Sequence, residues 1–182
     1  MVKQKYTAIL KSTAKAWIVL MLAAFVFQAC MEKQEYPIVP SLEYSGFAKI
    51  VHPDGYDTAG ILLLSYTDGD GDLGLLPFDT TDYNFFVAYY RMENGVLKPG
   101  TRYNNETGQY DTINFNNRFN QLAPDDYTGW IKGDIEDTIQ PLFDPRSSKT
   151  IDTVQFRIHI VDRAGHSSDT AVTPLIMVRN PQ

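Results

Sequence analysis

Cysteine is nearly absent: Cys30 is the only one in 182 residues. No intramolecular disulfide can form, so a folded domain must be held by its core. Histidine is scarce too, with His52, His159 and His166 alone. They form no H-E-x-x-H pair and no Cys/His cluster, which removes the usual grounds for zinc. There is no G-x-S-x-G elbow and no glycine-rich phosphate loop. The neighbouring acids Asp125 and Asp126 read as a turn. A hydrolase is therefore the least supported function class, and the chain is read as non-enzymatic. Base is short relative to acid, 16 Lys and Arg against 22 Asp and Glu, for a formal charge of −6. That balance argues against nucleic acid, which needs a basic footprint. Beyond the N-terminus there is no apolar run of transmembrane length and no useful stretch of 3.6-residue periodicity.

What the N-terminus does hold is a secretion signal. Lys3, Lys5, Lys11 and Lys15 precede an apolar run, Ala16 to Phe27, which ends in Phe27-Gln28-Ala29-Cys30. A basic n-region, a short h-region and a small residue before the cut are the parts of a signal peptide. The run of about 12 residues falls short of the roughly 20 that a spanning helix needs. A cysteine directly after the small residue resembles the lipobox of bacterial lipoproteins. Phe27 and Gln28 replace the aliphatic and small residues usual there, a relaxed form similar to that of Bacteroidota. The resemblance implies that residues 1–29 are removed and that Cys30 carries acyl chains, palmitate among them. The alternative is an ordinary secreted protein cut near Ala29, with a free thiol in an oxidising compartment.

Removal of residues 1–29 leaves 182 − 29 = 153 residues and a charge of 12 − 22 = −10, since four lysines and no acids are lost. That length suits one domain. Anionic headgroups would repel it. Membrane attachment then falls to the acyl chains on Cys30, at roughly 0.8 kcal/mol per buried CH2. Residues 30–41 read as the acylated cysteine and a polar, proline-punctuated tether. The implied location is the cell envelope, lipid-anchored at the outer membrane. Glu32 and Glu35 are interrupted by Lys33, so the acidic cluster of surface-exported lipoproteins is weak, and periplasmic and surface faces both stay open.

Residues 42–182 read as strands. Gly46 to Val51 is a short first one, and Ile61 to Thr67 is an apolar run suited to a buried central strand. Phe85 to Met92 meets Val96-Leu97 through an Asn94-Gly95 hairpin turn. Tyr110 to Phe119 and Tyr127 to Ile139 are less regular. In Val154 to Val161, Phe156, Ile158 and Ile160 alternate with Gln155, Arg157 and His159, so one face is buried and one wet. Ser167 to Val178 comes last, with Pro174 at an edge or bulge. About seven strands with turns between them predict an all-β, antiparallel sandwich. Phe156 to Ser168, with Val161-Arg163 and Ala164-Gly165 at its centre, resembles the closing hairpin of bacterial immunoglobulin-like domains. The resemblance implies an immunoglobulin-like sandwich and no chemistry of its own.

Asp68-Gly69-Asp70-Gly71-Asp72-Leu73-Gly74 is the strongest chemical signal. Alternating carboxylates repel unless a cation lies between them, and hard oxygen ligands suit Ca2+. The spacing resembles the start of an EF-hand loop, with Asp79 at the twelfth position. Leu73 stands where that loop needs glycine, and no helices flank it, so a structural site in a β-sandwich loop is expected instead. A similar loop follows an early strand in Bacteroidota immunoglobulin-like lipoproteins. The expected ligands are Asp68, Asp70 and Asp72, with Asp79, Asp82 and Asp162 as further candidates. Affinity would be on the order of 10⁻⁴ to 10⁻³ M. A solvated Asx-rich turn without metal is the other reading.

Asp-Thr occurs six times, at Thr58, Thr80, Thr112, Thr138, Thr153 and Thr170, where composition alone gives about one. The pattern resembles the acceptor of O-glycosylation in Bacteroidota. Asp ending a turn and Thr opening a strand would enrich it equally. Phe85, Phe86, Tyr89, Tyr90, Tyr103, Tyr110, Tyr127 and Trp130 gather mid-chain and are read chiefly as packing. The function expected is a structural or partner-binding lipoprotein that meets envelope proteins. Its alternative is a glycan-binding accessory lipoprotein of a polysaccharide-uptake system, which needs two or more exposed coplanar rings.

Overall fold

The computed structural model describes residues 35–78, 83–124, 126–143 and 149–181. Among them every regular element is a strand. β1 (Ser41–Val51), β2 (Asp57–Asp68) and β7 (Ile131–Ile139) form one antiparallel sheet with β2 at its centre. The second sheet runs β10 (Ile176–Arg179), β8 (Ile151–Ile160), β3 (Phe85–Glu93), β4 (Val96–Pro99), and β9 (Ala171–Val172) also pairs with β8. β5 (Thr101–Asn104) and β6 (Gln109–Thr112) make a separate hairpin. The protein is all-β and antiparallel, in a sandwich-like arrangement, with ten strands among the described residues.

The strands form where their sequence alternates. In β8, Val154, Phe156, Ile158 and Ile160 are fully buried, while the intervening side chains point outward. They face Leu62 and Leu64 of β2, also fully buried, in a core shared with Val87, Tyr89 and Val178. Phe156 is its centre, with the rings of Tyr89, Phe47 and Phe115 at 5.8, 5.9 and 6.1 Å. Burying one such side chain is worth roughly 1.5–3 kcal/mol.

Three expectations change. The Tyr110 to Phe119 segment is a strand only as far as Thr112. Beyond it, Asn114 and Asn117 make isolated bridges to β3, and the Asn116 side chain accepts the Val87 N–H at 3.1 Å. Asparagine side chains compete for the ladder's hydrogen bonds, so the strand dissolves. The last segment splits into β9 and β10 around Pro174. His159 is half-buried rather than exposed, stacked on Phe86 at 4.8 Å; burial lowers its pKa. Tyr36–Gln182 form one compact unit.

Candidate metal centre

β2 ends at Asp68, and the chain turns at once through the Asp-Gly run. Leu73 is fully buried in the core, so the loop must double back to deliver it. Its N–H then donates to Asp68 Oδ2 at 3.2 Å. Gly71 and Gly74 have φ of 74° and 94°. A Cβ on them would lie 2.6 Å from the Gly129 carbonyl oxygen and 2.4 Å from that of Asn120. The loop therefore packs backbone to backbone against two other segments, which glycine alone permits.

The turn after β8 completes the site. Arg163 Nη1 donates to the Gly74 carbonyl at 3.0 Å, and the Ala164 N–H donates to Asp72 Oδ2 at 3.0 Å. These bonds carry Asp162 to the loop. Asp68, Asp72 and Asp162 each present a carboxylate oxygen, all within 4.8 Å of one another. Asp68 is 0% exposed and Asp162 is 4% exposed. Asp68 Oδ1, Asp70 Oδ1 and Asp72 Oδ1 are buried with no hydrogen-bond partner.

The electrostatics follow from this crowding. Burial pushes the Asp68 carboxyl up to about 6, with Asp70, Asp72 and Asp162 adding to it and the Leu73 N–H opposing. Burial also raises Asp72, followed by the charges of Asp162 and Asp70. Asp162 accepts the His166 N–H at 2.7 Å and meets its Nδ1 at 2.8 Å. That hydrogen bond raises the His166 pKa. His166 stands four residues after Asp162, and that spacing is its signal in the sequence. Buried carboxylates this close require protons or a cation.

The three carboxylate oxygens converge closely enough for one cation to reach all of them, and donors of this hard oxygen type are those of Ca2+ and Mg2+ sites. Of the expected ligands, the fold brings Asp68, Asp72 and Asp162 together. Asp70 stands beside them, close enough to raise both Asp68 and Asp72, but outside the trio. Asp79, Asp82, Thr80 and Cys30 lie outside the described residues.

Of the other threonines, Thr112, Thr138 and Thr170 are exposed, while Thr58 and Thr153 are half-buried. Their preceding aspartates are engaged within the fold. Asp57 is fully buried between Lys49 and Arg179, each at 2.8 Å. Burial pushes its pKa up, but Arg179 and Lys49 more than offset that and hold it below the usual range. Asp152, Asp137 and Asp111 accept from Asn180, Asn117 and Asn104 at 2.9, 3.0 and 2.8 Å. Asp169 accepts the Leu42 N–H at 3.4 Å. The mid-chain aromatics divide: Phe85 and Tyr89 are buried, whereas Tyr103, Tyr110, Tyr127 and Trp130 are exposed. Tyr103 meets Tyr110 at 64° and Tyr36 meets Trp130 at 67°, so neither pair is coplanar.

No protein-family model, curated protein or solved structure matches this chain.

Proposed function

We propose that the chain is a non-catalytic β-sandwich module, immunoglobulin-like in kind, whose fold is locked by one Ca2+ and which Cys30 anchors to the envelope membrane. A single observation carries the cation: Asp68, Asp72 and Asp162 converge within 4.8 Å while the buried Asp68 Oδ1 lacks a partner. The ion would tie the loop after β2 to the turn after β8, the two ends of the sandwich's long central strands. It supplies charge compensation and rigidity, and the module's work is to present surfaces to partners at the membrane. The secretion signal and the lipobox-like Phe27-Gln28-Ala29-Cys30 support the anchor. Isothermal titration with CaCl2 tests the site: one ion bound per chain is expected, with binding lost in Asp72→Asn. Intact mass of the protein from its native host tests the anchor, which requires a diacylglyceryl or triacyl increment on a chain beginning at Cys30.

A further inference from the structure

The two sheets present different solvent faces. On β7 the exposed side chains are Lys132, Asp134, Glu136 and Thr138. On the other sheet the outward residues of β3 are Phe86, Ala88 and Tyr90, and those of β8 are Gln155, Arg157 and His159. Among the described residues no carboxylate lines the open trough there, about 590 Å³ in volume, which runs between Tyr90, Arg157, His159 and Val172 over Ala88. In a chain with six more acids than bases, such a face stands apart.

Arg157 is its chemical centre. The guanidinium lies over the Tyr90 ring, 4.1 Å from the centroid. Among the described residues no carboxylate stands within ion-pair distance of it. Stacking occupies the flat face of the group and leaves the in-plane N–H fork free, which is the geometry that grips a carboxylate with two hydrogen bonds. The stack also fixes the side chain in advance, lowering the ordering cost of binding. Val172, paired with Arg157, and Met177, paired with Thr153, are 45 and 67% exposed and add apolar surface along the β9 and β10 side. Tyrosine, methionine and arginine present and acids absent is the composition of a protein-interface core, and Tyr and Arg are its usual anchors.

We infer that the solvent face of the β10-β8-β3-β4 sheet docks a partner protein that presents a carboxylate to Arg157 between apolar side chains. Charge complementarity selects the carboxylate, and the flanking Val172 and Met177 select its apolar neighbours. The inference does not depend on the cation site, which uses other residues.

The test is NMR titration of the 15N-labelled protein with the capped peptide acetyl-Leu-Glu-Leu-Glu-Leu-amide and its Gln-for-Glu counterpart. Saturable shifts at Ala88, Tyr90, Arg157 and Val172 are expected with the acidic peptide. Arg157→Gln, or the Gln peptide, should weaken binding by about tenfold or more. Arg157 is exposed, so the variant should keep the parent's amide spectrum elsewhere. No saturable shift up to roughly 5 mM peptide, or binding indifferent to either change, overturns the inference. Shifts at these residues that depend on protein concentration alone would assign the face to a second copy and overturn it too. So would Arg157-dependent binding to phosphatidylglycerol vesicles without peptide binding.

Discussion

Asp68 closes β2 and Asp162 opens the turn after β8, yet their carboxylates, with that of Asp72, approach to within 4.8 Å. Asp162 has His166 for a partner, but Asp68 Oδ1 has none. Two distant parts of the chain are thus joined at a point of like charge. The contact is stable only if something neutralises it.

Without divalent cation that neutraliser is a proton. The folded pKa of Asp68, about 6, stands above its unfolded value of about 3.9. A carboxyl raised in this way contributes stability that is full below the unfolded pKa and is lost as pH rises through the folded one. About two units correspond to on the order of 3 kcal/mol. Asp68→Asn keeps an acceptor for the Leu73 N–H and removes the charge. In urea melts in calcium-free buffer it should gain on the parent between pH 5 and pH 7.5; an unchanged difference would contradict the shared-charge account.

Asp57 behaves oppositely. Its pKa is lowered, so its contribution is present above the unfolded value and is lost as pH falls through the folded one. Asp57→Ala orphans the Arg179 N–H, which donates at 2.9 Å, and releases Lys49 and Arg179. Both cations are partly exposed, so the cost should be about 2–4 kcal/mol. Urea melts should show that deficit in full at pH 7 and a smaller one at pH 3. A deficit independent of pH would mean that packing, not charge, holds this corner.

Gly74 and Gly165 separate backbone strain from close approach. Both have positive φ, 94° and 88°. A Cβ at Gly165 meets nothing within 4 Å, whereas at Gly74 it meets the Asn120 carbonyl oxygen at 2.4 Å. Gly165→Ala should cost about 1–2 kcal/mol, the price of the left-handed conformation alone. Gly74→Ala should cost about 2 kcal/mol more, because backbone must shift. Equal melting temperatures for the two variants would show that the loop does not pack as described.

The alternation of Phe156, Ile158 and Ile160 and the run around Leu62 made the buried faces of both sheets readable from sequence, because period-two burial is a local property. The division of the Tyr110 to Phe119 segment was not readable, since it depends on where asparagine side chains meet β3. The Asp-Gly run marked the loop after β2 through its spacing. Which acids join it depends on the return of the chain after β8: Asp162 enters because Arg163 and Ala164 bond to the loop, and no local pattern gives that distance. The half-burial of His159 escaped for the same reason, since Phe86 across the strand pair covers it.

The most direct measurement is the melting temperature of the protein in about 10 mM CaCl2 against the same buffer with chelator at pH 7.5, for the parent and for Asp68→Asn. A ligand at ten to a hundred times its Kd stabilises by about 1.4–2.7 kcal/mol, or several degrees for a domain of this size. The account predicts that rise in the parent and its absence in Asp68→Asn. Identical parent melting curves with and without Ca2+ would contradict it.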